Sequence, residues 1–266
     1  MSTRFDDDTA VVAIGEGRYQ AQIDPGWWIL AGPNGGYLAA ILLRATEQST
    51  GDPERAPRSL TIHYTAPAQE GPAQVETRVE RAGGALTTVS ARLLQEGRVV
   101  ALALAAFSKP RSRGHQLSHA RMPEAPPPER CAPLEKQIPI HERYEHRWAL
   151  GAMPFGSGEH ALCGGWIRLS EPRVVDAALA AAYTDAFPPA LFSTLSDRDA
   201  TAGVPTVDLT THFRAPLPRP GATAGDYSLA VFRSRVALEG FIEEDGELWS
   251  PDGVLLAHSR QLALAR

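Results

Sequence analysis

The sequence predicts an α+β protein made of two tandem copies of one unit, each an antiparallel sheet curled around one apolar helix. Three observations carry this. "RSLTIHYTAP" begins at Arg58 and "VDLTTHFRAP" at Val207, with Leu60/Leu209, Thr61/Thr210, His63/His212, Ala66/Ala215 and Pro67/Pro216 identical at an offset of 149. A looser match, "EGRVVALAL" from Glu96 against "DGVLLAHSR" from Asp252, follows at an offset of 156. Self-similarity at so long a spacing indicates a duplicated domain rather than a solenoid. Secondly, Ser108 to Ile140 holds seven prolines, which lack the amide donor that helices and central strands need, so this segment reads as a linker. Thirdly, "GPNGGYLAAILLRA" from Gly32 leads glycines into a helix that is apolar on nearly every side. Such a helix must be buried on nearly every side.

Taken in order, the first copy has strand signals near Ala10 to Ile23, then the glycine-led helix from about Gly35 to Glu47. Strands follow near Leu60–Thr65, Ala73–Arg81, Leu86–Leu94 and Val99–Phe107. The second copy has a strand near Ala161–Leu169 and helical sequence across Val174–Leu195, broken near Phe187–Pro189. Its strands follow near Thr206–Phe213, Tyr227–Val236, Leu238–Glu243 and Val254–Ala263. Gly or Asp-Gly between β-branched or alternating runs reads as antiparallel meander. The domains are then 1–108 for the first copy, 109–140 for the Pro-rich linker and 141–266 for the second copy.

Composition narrows the function. A formal net charge of −5 with acids and bases interspersed argues against a nucleic-acid partner. Cys131 and Cys163 match no ligand spacing and read as reduced thiols. The N-terminus lacks the apolar core of a signal peptide, and no apolar run approaches the ~20 residues of a membrane span. A cytoplasmic protein is expected. "HERYEH" from His141 places its second histidine one residue too late for a zinc-binding H-E-x-x-H, and "FGSGEH" lacks nucleophile-elbow spacing. No phosphate-binding glycine loop is present. Neither a metal nor a cofactor is expected.

Duplication separates scaffold from chemistry. A polar residue present in only one copy, at an inward position, is a candidate for chemistry. Asp185 stands against Gly35 at an offset of 150, Thr206 against Pro57 at 149, and Gln261 against Ala105 at 156. Strand alternation puts Ala257, Ser259, Gln261 and Ala263 on one face. His63 and His212, present in both copies, read as hydrogen-bonded scaffold. Each of the three asymmetric residues also has a structural explanation: Asp185 as an N-cap, Thr206 as an edge residue, Gln261 as a partner for a buried amide.

The stretches "GPNGGYLAAILLRA", "WIRL", "AYTDAFPPALF", "TVDLTTHFRAP" and "SPDGVLLAHSRQLALAR" resemble the TesB-like (type II) acyl-CoA thioesterases. The resemblance covers most of the chain outside the linker and implies a double hotdog fold. It also implies hydrolysis of an acyl-CoA to free acid and CoA, and hence a place in fatty acid metabolism. In that family an Asp, a Thr and a Gln hold the water that attacks the thioester, and they match Asp185, Thr206 and Gln261. The family's Ser-Asp is Thr184-Asp185 here. Asp185 is expected at a helix N-terminus, held ionised by the amides there. Asn34-Gly35-Gly36 resembles the His-Gly-Gly of single hotdog thioesterases. Bare helix N–H groups without β-carbons could form an oxyanion hole, or the glycines could serve only close packing.

Two rival functions stand beside this one. A hotdog dehydratase or hydratase would want a histidine beside Asp185, which the sequence does not supply. A non-catalytic acyl-CoA-binding protein would bind the same ligand without turnover. Arg214, Arg219, Arg233 and Arg235 could meet the CoA phosphates or be solvated. Trp27 and Trp28 read as core. Exposed sheet edges would allow a homo-oligomer.

Overall fold

The computed structural model describes residues 2–30, 32–111, 114–196 and 203–265. The chain opens with the short helix α1 (Arg4–Asp8), closed by a capping box at Thr3, and the strands β1 (Val12–Gly15) and β2 (Arg18–Ile23). A 3-10 turn at Pro25–Trp27 leads to α2 (Gly35–Ser49). Strands β3 (Ala56–Tyr64), β4 (Gly71–Ala82), β5 (Thr87–Gln95) and β6 (Arg98–Ser108) complete the first copy. The Pro-rich stretch carries two 3-10 turns and a two-residue edge strand, β7 (Ala132–Pro133). The second copy supplies β8 (Tyr144–Leu150), β9 (Leu162–Leu169), α3 (Ala177–Tyr183), β10 (Thr206–Phe213), β11 (Ser228–Arg233), β12 (Ala237–Leu238), β13 (Phe241–Trp249) and β14 (Leu255–Leu264).

These strands form one antiparallel sheet in the order β1-β2-β4-β5-β6-β3-β10-β14-β13-β11-β9-β8-β7, with β12 paired to β13. From β10 to β8 the second copy repeats the first in reverse, as a two-fold axis requires. The register locates that axis. Thr61 pairs with Thr210, Ile62 with Leu209 and Leu60 with Thr211, so residues 149 apart are symmetry mates. The hydroxyls of Thr61 and Thr210 meet across the axis at 3.1 Å. Thr61 faces Leu104 on β6 and Thr210 faces Arg260 on β14, which is the offset of 156.

The sheet wraps two central helices. In α2, ten residues from Gly36 to Thr46 are buried, and all seven residues of α3 are. Burying these largely apolar helices is the main reason the sheet curls. Both start at an Asx N-cap: Asn34 accepts from Tyr37 N–H, and Asp176 from Leu179 N–H. The helices run antiparallel. Gly36 at the start of α2 lies on Ala182 near the end of α3, and the charge of Asp176 at the start of α3 is felt at Glu47 near the end of α2. The alanines of α3 leave little between the two backbones, which permits this close approach.

Several expectations change. The second-copy helix is not Val174–Leu195; it ends at Tyr183 and only a 3-10 turn, Ala190–Thr194, follows. The Thr184 hydroxyl turns back onto Ala181 O at 2.8 Å, and Pro188 and Pro189 have no amide to continue with. Strand β8 runs through "YEHRWAL", where the polar tips of the buried Tyr144, His146 and Trp148 disguise their alternation with Glu145 and Arg147. Strand β13 continues six residues beyond Glu243, through Asp245-Gly246, to Trp249. His63 and His212 lie exposed on the outer face of the sheet rather than in buried scaffold. The Pro-rich segment is strapped down rather than free: Pro126 O accepts from Trp166 Nε1 at 2.7 Å, and Ile140 N–H donates to Trp28 O at 3.2 Å.

Candidate active site

Asp185 follows the last turn of α3, two residues past Tyr183, and so occupies a helix C-terminal end, not the expected N-terminus. The α3 dipole alone would disfavour an anion there. The N-terminus that serves it is that of α2, from the other copy. Asp185 Oδ2 accepts from Gly36 N–H at 3.0 Å and from Asn34 Nδ2 at 3.0 Å, while Asn34 Nδ2 also donates to Asp185 O at 2.6 Å. Burial raises the carboxyl from 3.8 to about 6, against the lowering effect of the Gly36, Gly35 and Asn34 donors. The residue as a whole is half-buried. The helix caps also revise the pairing of the copies here. Asn34-Gly35 matches Asp176-Ala177, so Asp185 is not the symmetry mate of Gly35; it is the group that Gly35 faces across the axis.

That contact explains the glycines. A Cβ on Gly36 would lie 2.4 Å from Ala182 O, and one on Gly35 would lie 2.9 Å from Asp185 Oδ2 and 3.0 Å from the Tyr64 hydroxyl. The start of α2 carries no side chains because the end of α3 and the Asp185 carboxylate occupy that space. The expected oxyanion hole is accordingly altered: Gly36 N–H and the Asn34 amide are directed at Asp185, and they hold the carboxylate. Tyr64 supports the same corner, donating to Gly35 O at 2.7 Å. Asn34 serves both sides, since its Oδ1 caps α2 at Tyr37 N–H. Asn34→Ala is expected to cost about 1 kcal/mol in thermal or denaturant unfolding through the lost cap. The same change should lower turnover, because Asp185 loses a donor.

Thr206 and Gln261 are brought together as neighbours. Thr206 Oγ1 donates to Gln261 Oε1 at 3.1 Å. A register shift between Thr206 and Asp208 makes this contact. Strict alternation would send Thr206 outward with Asp208 and Thr210; the bulge returns it to the inner face, opposite Ala263 and beside Gln261. The first copy has the same shift between Pro57 and Ser59.

One residue escaped the sequence reading. Glu244 on β13 is 3% exposed, accepts from Gln261 Nε2 at 2.8 Å and from Ala190 N–H at 2.6 Å. Burial raises it from 4.5 to about 7, with the Asp185 charge contributing. Thr206, Gln261 and Glu244 therefore form one hydrogen-bonded chain, and the charge of Asp185 is felt at its Glu244 end. Ending the strand at Glu243 hid this residue. The duplication test would have found it, because its symmetry mate across the register is Val89.

Other candidates resolve simply. His146 is buried and bonds to Ala186 O at 2.9 Å, its imidazole pushed down to about 3 by burial. Arg219 pairs with Asp252, Arg233 with Glu247 and Arg235 with Asp245. Trp27 is fully buried, stacked on Tyr37 and bonded to Asp8. Both cysteines are free and buried. Among the described residues no helix is long and apolar enough to cross a membrane.

Known proteins agree with this architecture. The chain is 29% identical to a conserved hot dog fold protein of unknown function from Alicyclobacillus acidocaldarius, over 100% of this chain and 99% of that one, with a TM-score of 0.90. It is 29% identical to a candidate thioesterase II from Thermobifida fusca YX, over 99% and 98% of the two chains, with a TM-score of 0.85. The acyl-CoA thioesterase II TesB2 of Mycobacterium marinum shares the fold at 20% identity, over 98% of each chain, with a TM-score of 0.80. No curated protein matches the chain in sequence. Residues 24–108 match the acyl-CoA thioesterase N-terminal domain and residues 119–265 the acyl-CoA thioesterase C-terminal domain. With a double hotdog fold and both halves matched, the chain belongs to the acyl-CoA thioesterase family and is a thioester hydrolase.

Proposed function

We propose that the protein hydrolyses an acyl-CoA to the free acid and CoA with a water held by Asp185, Thr206 and Gln261. The observation that supports this most is the seat of Asp185. A carboxylate raised by burial is fixed by donors from the opposite copy. Fixing it costs nothing at the moment of reaction, which is what an oriented base requires. A thioester carbonyl is activated enough to react with water directly. Water oxygen attacks the carbonyl carbon while Asp185 takes its proton. The tetrahedral intermediate collapses with cleavage of the C–S bond, and the departing thiolate recovers that proton. Thr206 and Gln261 supply the water's remaining hydrogen bonds.

The test is thiol release from a panel of short, long, branched and aromatic acyl-CoAs. Turnover on part of the panel is expected, and it names the acyl class. Binding without turnover on every member would leave a thioester-binding role and overturn this mechanism. The division into copies at 1–108 and 141–266, with 109–140 between them, belongs to the same proposal. So does a homo-oligomer formed through exposed sheet edges, which sedimentation would test.

A further inference from the structure

We propose that Glu244 is a positioning residue that sets the orientation of the Gln261 amide, and through it the Thr206 hydroxyl, for holding the attacking water. This rests on the reading of Asp185, Thr206 and Gln261 as the water site. Both Glu244 oxygens are engaged as acceptors, Oε1 by Gln261 Nε2 and Oε2 by Ala190 N–H. A carboxylate has no donor, so Gln261 must turn its nitrogen towards Glu244. Its carbonyl oxygen then faces Thr206, whose hydroxyl must donate. What remains open is the second Nε2–H of Gln261 and the lone pairs of Thr206. A water that accepts from the first and donates to the second keeps its other proton for Asp185. With the amide reversed, the Thr206 oxygen would accept from Gln261 and its proton would point at the water, opposing this arrangement.

Symmetry shows that the fold does not need a carboxylate there. Glu244 faces Gln261 across β13 and β14, and the matching pair in the first copy is Val89 and Ala105. Burying a carboxylate is costly unless it is paired, and the first copy builds the same two strands from apolar residues. The groups around Glu244 are Asp185 after α3 and Glu243 on its own strand, which both raise it. On β9, the Cys163 thiol is raised by its burial and by the charge of Glu244. The ionised form that orients Gln261 is therefore present above about pH 7 and lost below it.

Glu244→Gln is the decisive variant. Gln can accept at only one end, so satisfying Ala190 N–H presents its amide nitrogen to Gln261 and reverses that side chain. On the acyl-CoA that the wild type turns over fastest, E244Q should lower kcat by about 10–100-fold with KM changed less than about twofold. In a Q261A background the same substitution should add less than about twofold, because the residue acts through Gln261. The acid limb of kcat/KM should steepen to two ionisations in the wild type and show one in E244Q. Wild-type kcat in E244Q, or an undiminished effect in Q261A, would overturn the proposal. If E244Q does not fold, a wild-type acid limb with a single ionisation overturns it instead. A wild type without turnover overturns the water-site reading itself, whereas an active wild type beside an unchanged E244Q removes only the role of Glu244.

Discussion

Asp185→Asn is expected to lower kcat by about 10²–10⁴-fold, the usual worth of a positioned general base, while the protein stays at least as stable. Asn is nearly isosteric and its carbonyl oxygen can still accept from Gly36 N–H. Turnover needs the ionised carboxylate, so kcat/KM in the wild type should fall as pH drops through about 6, and D185N should lose that ionisation. The stability effect has the opposite sign. The folded-state value of about 6 lies above the ordinary 3.8, so the native state binds the proton more tightly than the unfolded chain. The ionised group thus burdens the fold fully above about pH 6 and not at all below about pH 4. Removing the charge should leave the melting temperature at pH 7 unchanged or raised, the pattern of a site that trades stability for activity. A melting temperature clearly lowered at pH 7, with turnover intact, would show that Asp185 is only a structural cap.

Gly35→Ala and Gly36→Ala should separate the fold from the chemistry. At Gly36 the new methyl would lie 2.4 Å from Ala182 O and 3.1 Å from its carbonyl carbon. Both are backbone atoms of a buried helix with nowhere to move. A loss of about 1–3 kcal/mol or more is expected in denaturant unfolding, with activity falling because α2 is pushed off the Asp185 loop. At Gly35 the methyl meets the ends of side chains, Asp185 Oδ2 at 2.9 Å and the Tyr64 hydroxyl and its ring carbon at 3.0 and 3.1 Å. These can shift by tenths of an ångström at small cost, yet that shift moves the base. Gly35→Ala should therefore keep most of the stability and lose most of kcat. Equal losses of stability in both variants would mean that the helix start tolerates no side chain anywhere and that catalysis adds no constraint at Gly35.

The duplicated fold was legible because it is written in short-range patterns. Strand alternation, glycine-led helix starts and the paired "LTIHYTAP" and "LTTHFRAP" runs depend on neighbours in sequence, and the register of β3 on β10 reproduces their offset residue for residue. The polar asymmetry of Thr206 and Gln261 was legible for the same reason: strands keep a fixed offset between copies. Asp185 was harder. Insertions around α3 change the offset from 149 to 142 between the strand and the helix caps, so sequence counting set Asp185 against the wrong partner. Glu244 was hidden because Glu243, Asp245 and Gly246 look like a turn. Only the sheet shows that the strand continues and that one acid in the run faces inward.

The sequence by itself determined two copies, an apolar helix in each, and two polar strand residues, Thr206 and Gln261, that the second copy has and the first lacks. These follow from periodicity and composition, which are local properties. Tertiary structure decided what those residues touch. The antiparallel packing of α2 on α3 turns the glycine amides from an open anion site into the seat of Asp185. A one-residue bulge aims Thr206 inward, and a buried Glu244 orients Gln261. Each is a contact between residues 17 or more positions apart in the chain, fixed by burial and hydrogen-bond satisfaction in three dimensions rather than by any pattern along it.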